Sequence, residues 1–248
     1  MTGPDVPPGS KPEFKLGYVP GVTPTKWVRV WNERLPRVQL TLVQVSPGEA
    51  AALVRDQTVD AALLRLPIDR TGLHAIPLYT ETTVVVVPKD HLVTAAEEVT
   101  TEDLTDEVLL HPLDDAFDWE QPPGRQWPAR PANTADAVEL VAAGIGLLVV
   151  PQSLARLHHR KDLTYRPIAD APESQVALSW PEDESGELVE VLIGIVRGRT
   201  LNTTRGPATA TPKPKAKPAA KKSNPKGKKP ERPRAPQGGK RGKPKRRS

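Results

Sequence analysis

Residues 133–151, Asn-Thr-Ala-Asp-Ala-Val-Glu-Leu-Val-Ala-Ala-Gly-Ile-Gly-Leu-Leu-Val-Val-Pro, decide the fold. Val138, Val141, Ala142 and Ile145 fall at helical spacing on one face. Asn133 or Thr134 can cap the start by accepting a hydrogen bond from a free first-turn N–H. Gly144 or Gly146 stops the helix, and Leu147–Val150 is a short apolar run with the length of a buried strand. A capped helix leading through glycine into a buried strand is the unit of an α/β protein.

The same alternation extends in both directions. Phe14–Val19 reads as a strand, Pro20–Thr23 as a tight connection, and a helix follows from about Pro24, with Thr23 as its cap. Trp27, Val28, Trp31 and Leu35 share one side of that helix, a face for packing on a sheet rather than a ligand-stacking pair of tryptophans. Val38–Val45 is a second strand, and Ser46-Pro47-Gly48-Glu49 spells a capping box before a helix through Ala50, Leu53 and Val54. Strands are expected at 60–64, 82–87 and 107–110, with a short helix at 100–104. Beyond the central stretch, helix 151–159, strands 163–168 and 176–180 and an amphipathic helix 188–196 complete the body. Apolar runs, rather than strict alternation, predict sheets covered on both faces. Residues 112–131 are irregular and rich in proline and acids, a lid over a cleft or a surface loop.

Charge divides the chain. Overall it carries +5, but residues 205–248 hold 17 Lys and Arg against one acid, Glu231, whereas residues 1–204 hold 18 against 29 acids. An acidic body thus bears a strongly basic tail. Without cysteine there is no disulfide, thiolate metal site or Cys nucleophile. The N-terminus lacks the pattern of a signal peptide, and no apolar run approaches the ~18 residues of a membrane span; a soluble, cytoplasmic protein is expected. His91 and His111 stand alone, and His158-His159 lies in a polar run, so no metal and no cofactor are predicted. No P-loop, Gly-x-Ser-x-Gly or His-Glu-x-x-His occurs, and no nucleophile or acid–base pair stands out, which argues against an enzyme.

Several of these runs, in order, resemble the effector-binding domain of LysR-type transcriptional regulators. Arg34-Leu35-Pro36-Arg37-Val38 is similar to that family's helix, "Pro-x-Val" and strand; Thr58–Leu64 to its "Gly-x-Leu-Asp" strand; Val141–Pro151 is the most specific match. The resemblance covers about residues 13–200. It implies a type II periplasmic-binding-protein-like fold: two α/β lobes joined by crossover strands. Composition adds a disordered arm at 1–12 and a disordered basic tail at 201–248. Lobe I is expected at 13–88 and 177–200, lobe II at 89–176. The family binds a small molecule between its lobes, and open α/β sheets independently place sites at the carboxyl ends of strands. The ligand-facing residues implied are Gly21, Val22 and Thr23, Ser46 and Pro47, Arg65, and Asn133 with Thr134. Helix starts suit a carboxylate, and Arg65 could pair with one, so an anionic metabolite is expected. Each of these residues also has a purely structural reading as a cap or a surface group. The family's winged helix-turn-helix is expected to be missing, since only the Pro-rich arm precedes the effector region. Family effector domains pair side by side, which suggests a homodimer or pairing with a full-length LysR-type regulator.

The tail cannot bury a core and is predicted to be disordered. Lys213, Lys215, Lys217, Lys221, Lys222, Lys226, Lys228 and Lys229 suit a phosphate backbone, DNA or RNA, without base readout. Arg232, Arg234, Lys240, Arg241, Lys243, Lys245, Arg246 and Arg247 continue the same pattern. A solubility tail, or attraction to ribosomes or an anionic membrane surface, is the plainer alternative. The sequence therefore supports an effector sensor linked to transcription. The alternative is a non-sensing remnant associated with nucleic acid or the nucleoid through its tail.

Overall fold

The computed structural model describes residues 12–117, 119, 121–183 and 186–199. The expected arm, apart from Pro12, and the expected basic tail lie outside the described residues, as do Asp118 and Glu120.

The chain opens with β1 (Glu13–Tyr18), α1 (Thr25–Arg34), β2 (Gln39–Gln44), α2 (Ala50–Arg55), β3 (Ala61–Leu66) and β4 (Leu73–Glu81). It then builds a second sheet from β5 (Thr83–Pro88), β6 (Val108–Leu110) and β7 (Arg125–Gln126). That sheet continues through α3 (Thr134–Ala142), β8 (Leu147–Pro151), α4 (Gln152–Leu157) and β9 (Leu163–Pro167). The chain returns to the first sheet in β10 (Ser174–Pro181) and closes with α5 (Glu187–Val196). Strand order is β2-β1-β3-β10-β4 in one sheet and β7-β6-β8-β5-β9 in the other, so the backbone crosses between lobes after Glu81 and again before Ser174.

Each lobe has its own apolar filling. In lobe I, Trp31 of α1 is fully buried, with its ring centroid 4.9 Å from that of Phe14 on β1. In lobe II, Val84 and Val86 face a cluster with α3 and α4, while Val85 and Val87 face another with Val99, Leu104 and Ile168. Opposite faces of β5 are thus both covered, which is why its sequence is continuous valine instead of alternating.

Four expectations need correction. The valine strand belongs to lobe II, since β5 pairs with β8 and β9; lobe I stops at Glu81 and resumes at Ser174, not at 88 and 177. A continuous apolar run reports burial on two faces but not which sheet supplies the neighbours. Helix α1 is capped at Pro24 with no side-chain bond from Thr23, and its carbonyl accepts from Trp27 and Val28 N–H. The Ser46–Glu49 capping box does not form, because the Ser46 hydroxyl donates directly to Glu49 Oε2 at 2.6 Å and the helix cap falls at Glu49, three residues later than Ser46. Finally, β4 was not predicted as a strand. It is the edge of its sheet, holds Pro77 beside a register shift in β10 and buries only its ends fully, so it lacks a period-two signal.

The return crossing is anchored at its start. Asp170 accepts from Thr101 N–H at 2.7 Å and from the Thr101 hydroxyl at 2.6 Å. The hydroxyl and then the backbone bond hold its carboxyl below the ordinary value of 3.8. A lowered folded pKa contributes stability above the unfolded value, lost as pH falls through the folded one. The melting temperature of Asp170→Ala is therefore expected to lie below that of the native chain from pH 7 to 5. The two are expected to converge on acidification below the ordinary aspartate value. A constant gap down to the acid transition would refute the assignment.

Candidate functional site

The cleft forms where the carboxyl ends of lobe I strands face the starts of lobe II helices. Lobe I contributes Pro20 after β1, Gln44 at the end of β2, Pro47 before α2 and Arg65 near the end of β3. Lobe II contributes Asn133, Thr134 and Ala135 at the start of α3 and Leu154, Leu157 and His158 from α4 and its end. Asp114 and Ala116, from the irregular segment, complete a cavity of about 200 Å³.

Two further openings flank it. Gly21, Thr23, Trp27, Tyr79 and Arg156 are among the residues around one of about 400 Å³, and Tyr18, Val22 and Gln44 are among those around one of about 420 Å³. The turn that separates these spaces is tight. Gly21 has φ +84°, and a Cβ there would sit 2.7 Å from Ser153 Oγ, so glycine is required both by conformation and by the approach of α4.

Arg65 is the link between lobes. Its Nε donates to Glu81 Oε2 at 2.8 Å, with the two side chains only 5% and 6% exposed. Its Nη1 donates to the Pro20 carbonyl at 2.9 Å and its Nη2 to the Ser153 hydroxyl of α4 at 3.1 Å. Glu81 also accepts from Ser174 Oγ at 3.2 Å, so both crossover segments meet at one carboxylate. Placing a guanidinium and a carboxylate in this dry position is tolerable only because each is paired and hydrogen-bonded. The Tyr79 phenol feels the same surroundings: burial, then Glu81, raise its pKa above the ordinary value and favour the neutral form, with Arg65 opposing.

At the start of α3, Asn133 Oδ1 accepts from Asp136 N–H at 2.9 Å, which selects Asn133 over Thr134 as the cap. The Thr134 hydroxyl instead donates to Asp114 Oδ1 at 3.0 Å, tying the irregular segment to the cleft wall. That segment is held at its base by Arg130, which donates to the carbonyls of His111 and Pro112. Gly144, at φ +71°, ends the helix and leads into β8.

Of the residues expected to face ligand, the structure brings Pro47, Arg65, Asn133 and Thr134 to the central cavity. Gly21, Val22 and Thr23 lie around the flanking openings, and Val22 is itself buried in lobe I. Ser46 lines none of these three spaces. Sequence reasoning missed Asp114, the α4 leucines, Glu81 and Ser153. A carboxylate 16 residues after Arg65, at the end of an apolar segment, was the available signal for the pair.

Among the described residues no group of three or more His, Asp or Glu could hold a metal ion, and no helix is long and apolar enough to cross a membrane.

Two α/β lobes with crossover strands and a cavity between them are the architecture of a type II periplasmic-binding-protein-like domain. The family model for the LysR substrate binding domain matches residues 9–200, and the chain belongs to that family. Relatives include "HTH-type transcriptional regulator AlsR" of Bacillus subtilis (strain 168), 27% identical over 73% of this chain and 63% of that protein. Another is "Probable hydrogen peroxide-inducible genes activator" of Mycobacterium leprae (strain TN), 31% identical over 57% of this chain and 50% of that protein. The chain thus spans half to under two-thirds of these regulators. The solved effector binding domain of BenM with its effector benzoate superposes at a TM-score of 0.63 with 19% identity, covering 76% of this chain and 91% of that one. The reduced form of the OxyR regulatory domain from Pseudomonas aeruginosa gives 0.60 with 24% identity, covering 75% and 95%. At these identities the structures establish the fold.

Proposed function

We propose that the chain is a small-molecule sensor linked to transcription regulation, with its effector held in the central cavity between the lobes. The observation that carries this reading is a largely apolar cavity of about 200 Å³ whose walls come from both lobes. A ligand there touches both lobes at once and so favours the closed arrangement over any open one. Its relatives are regulators, which supports the link to transcription. Working as a cytoplasmic homodimer, or paired with a full-length LysR-type regulator, fits the same reading. The anionic effector expected from sequence rested on the helix starts, with Arg65 as an added ion pair. Glu81 already neutralises Arg65, so that added pairing is not proposed.

The basic tail is proposed to hold the protein on nucleic acid, DNA or RNA, through phosphate contacts alone. The acidic body would be repelled by such a polymer, so attachment belongs to the tail.

A thermal-shift screen of the full chain against a metabolite panel tests the sensor reading. A ligand at ~100 times its Kd adds about 2.7 kcal/mol to the stability of the native state. Ala135→Trp fills the cavity from an exposed position and is expected to abolish every genuine hit. Hits unaffected by Ala135→Trp would place binding elsewhere. A silent panel would favour the non-sensing alternative, in which the tail carries the cellular role.

A further inference from the structure

We propose that the central cavity takes a small organic amine in its ammonium form. The ammonium would sit on the Asp114 carboxylate and the hydrocarbon body between the prolines of lobe I and the leucines of α4. This inference rests on the reading of the cleft as an effector site and adds the chemical class of the effector.

Charge is the first argument. The basic side chains lining the cavity are Arg65 and His158, and the Arg65 charge is cancelled at 2.8 Å by Glu81. All three Arg65 side-chain nitrogens already donate within the protein, to Glu81, to the Pro20 carbonyl and to Ser153. Asp114 has no such cancellation: among the described residues it meets no cationic partner, and one oxygen accepts the Thr134 hydroxyl while the other has no donor. With Arg65 paired to Glu81 behind the wall, the Asp114 carboxylate is the unpaired charge at the cavity surface. The start of α3, which would otherwise favour an anion, is already served by the chain's own acids. Asp136 lies in its first turn, and Asp114 accepts from Thr134. An incoming carboxylate would meet Asp114 with no free cation to offset it, whereas an ammonium would form a charge-assisted hydrogen bond to the unfilled oxygen.

Size and polarity set the rest of the molecule. Pro20, Pro47, Leu154 and Leu157 supply apolar wall, and Gln44, Asn133 and His158 are the other polar side chains of the lining. A dry cavity of about 150 Å³ holds one benzene ring, so about 200 Å³ suits a single ring or a short branched chain with one polar head. A nucleotide or a sugar phosphate brings the wrong charge.

The test is calorimetric titration of the full chain at pH 7 with benzylamine, benzyl alcohol and benzoate, which share a ring and differ in the head. Benzylamine is expected to bind about tenfold more tightly than benzyl alcohol, with benzoate weakest. Asp114→Asn keeps an acceptor for Thr134 but removes the charge. It is expected to erase the amine's advantage while leaving the alcohol within about twofold. Benzoate binding as tightly as benzylamine, an amine preference unchanged by Asp114→Asn, or amine binding that survives Ala135→Trp would each overturn the proposal. Silence of all three probes would overturn it too. A different panel member whose binding Ala135→Trp abolishes would then still uphold the effector site without this ligand class.

Discussion

Replacing Glu81 by leucine is expected to lower the unfolding free energy of the body by about 3–5 kcal/mol, read as a reduced urea midpoint. The substitution leaves the Arg65 guanidinium buried without its carboxylate and removes the acceptor shared with Ser174. Arg65 would still donate to the Pro20 carbonyl and Ser153, so charge is the interaction at stake. The double variant Arg65→Met/Glu81→Leu removes both charges and is expected to recover most of the loss, because apolar replacements of similar volume often match a buried ion pair. Equal loss in the single and double variants would show that the hydrogen bonds to Pro20 and Ser153, and not the buried charge, dominate.

Truncation after Thr204 is expected to have the largest effect on nucleic-acid binding. Residues 1–204 carry 18 basic and 29 acidic groups, while 205–248 carry 17 basic and one acidic. If the tail makes about 6–10 phosphate contacts, affinity for duplex DNA should fall by about 10³–10⁵ between 50 and 200 mM salt. Fluorescence anisotropy on two duplexes of unrelated sequence should give matching curves for the full chain and no binding for the truncated one. Retained binding by the truncated chain at physiological salt would put a nucleic-acid surface on the body. A strong preference for one duplex would indicate base readout, which phosphate contacts do not supply.

What the sequence disclosed follows from the range of each interaction. The central helix and strand were legible because Asn133, Gly144 and the apolar spacing are local signals, and α3 and β8 lie where they place them, but Ile145, counted on the helix face, falls beyond Ala142 and is exposed. In α5 the limits were right, but Val189 and Ile193 are buried although they were left off the apolar face. A helix that is apolar on most sides has no single stripe to read. The Val84–Val87 run revealed a covered strand but not its lobe, and β4 showed no period at all. The site was half legible. Helix starts pointed to Asn133, Thr134 and Pro47, and these line the cavity. The bond between Arg65 and Glu81 was not visible, because it depends on two strands meeting β10 from either side. That single long-range pairing changes the charge of the cleft. Asp114 was legible only as one of the acids of the irregular segment 112–131, and nothing local tells that Thr134 holds it against the cavity.

The central claim is that one small molecule is held jointly by both lobes, and amide chemical-shift mapping of a thermal-shift hit tests it most directly. Saturable shifts are expected together at Gln44 of lobe I and at Thr134, Ala135 and Leu157 of lobe II, with one common Kd. The Trp127 amide, bonded to the Leu109 carbonyl at the β7 edge, is expected to stay still. Shifts confined to one lobe, or centred away from these four residues, would contradict an effector site between the lobes.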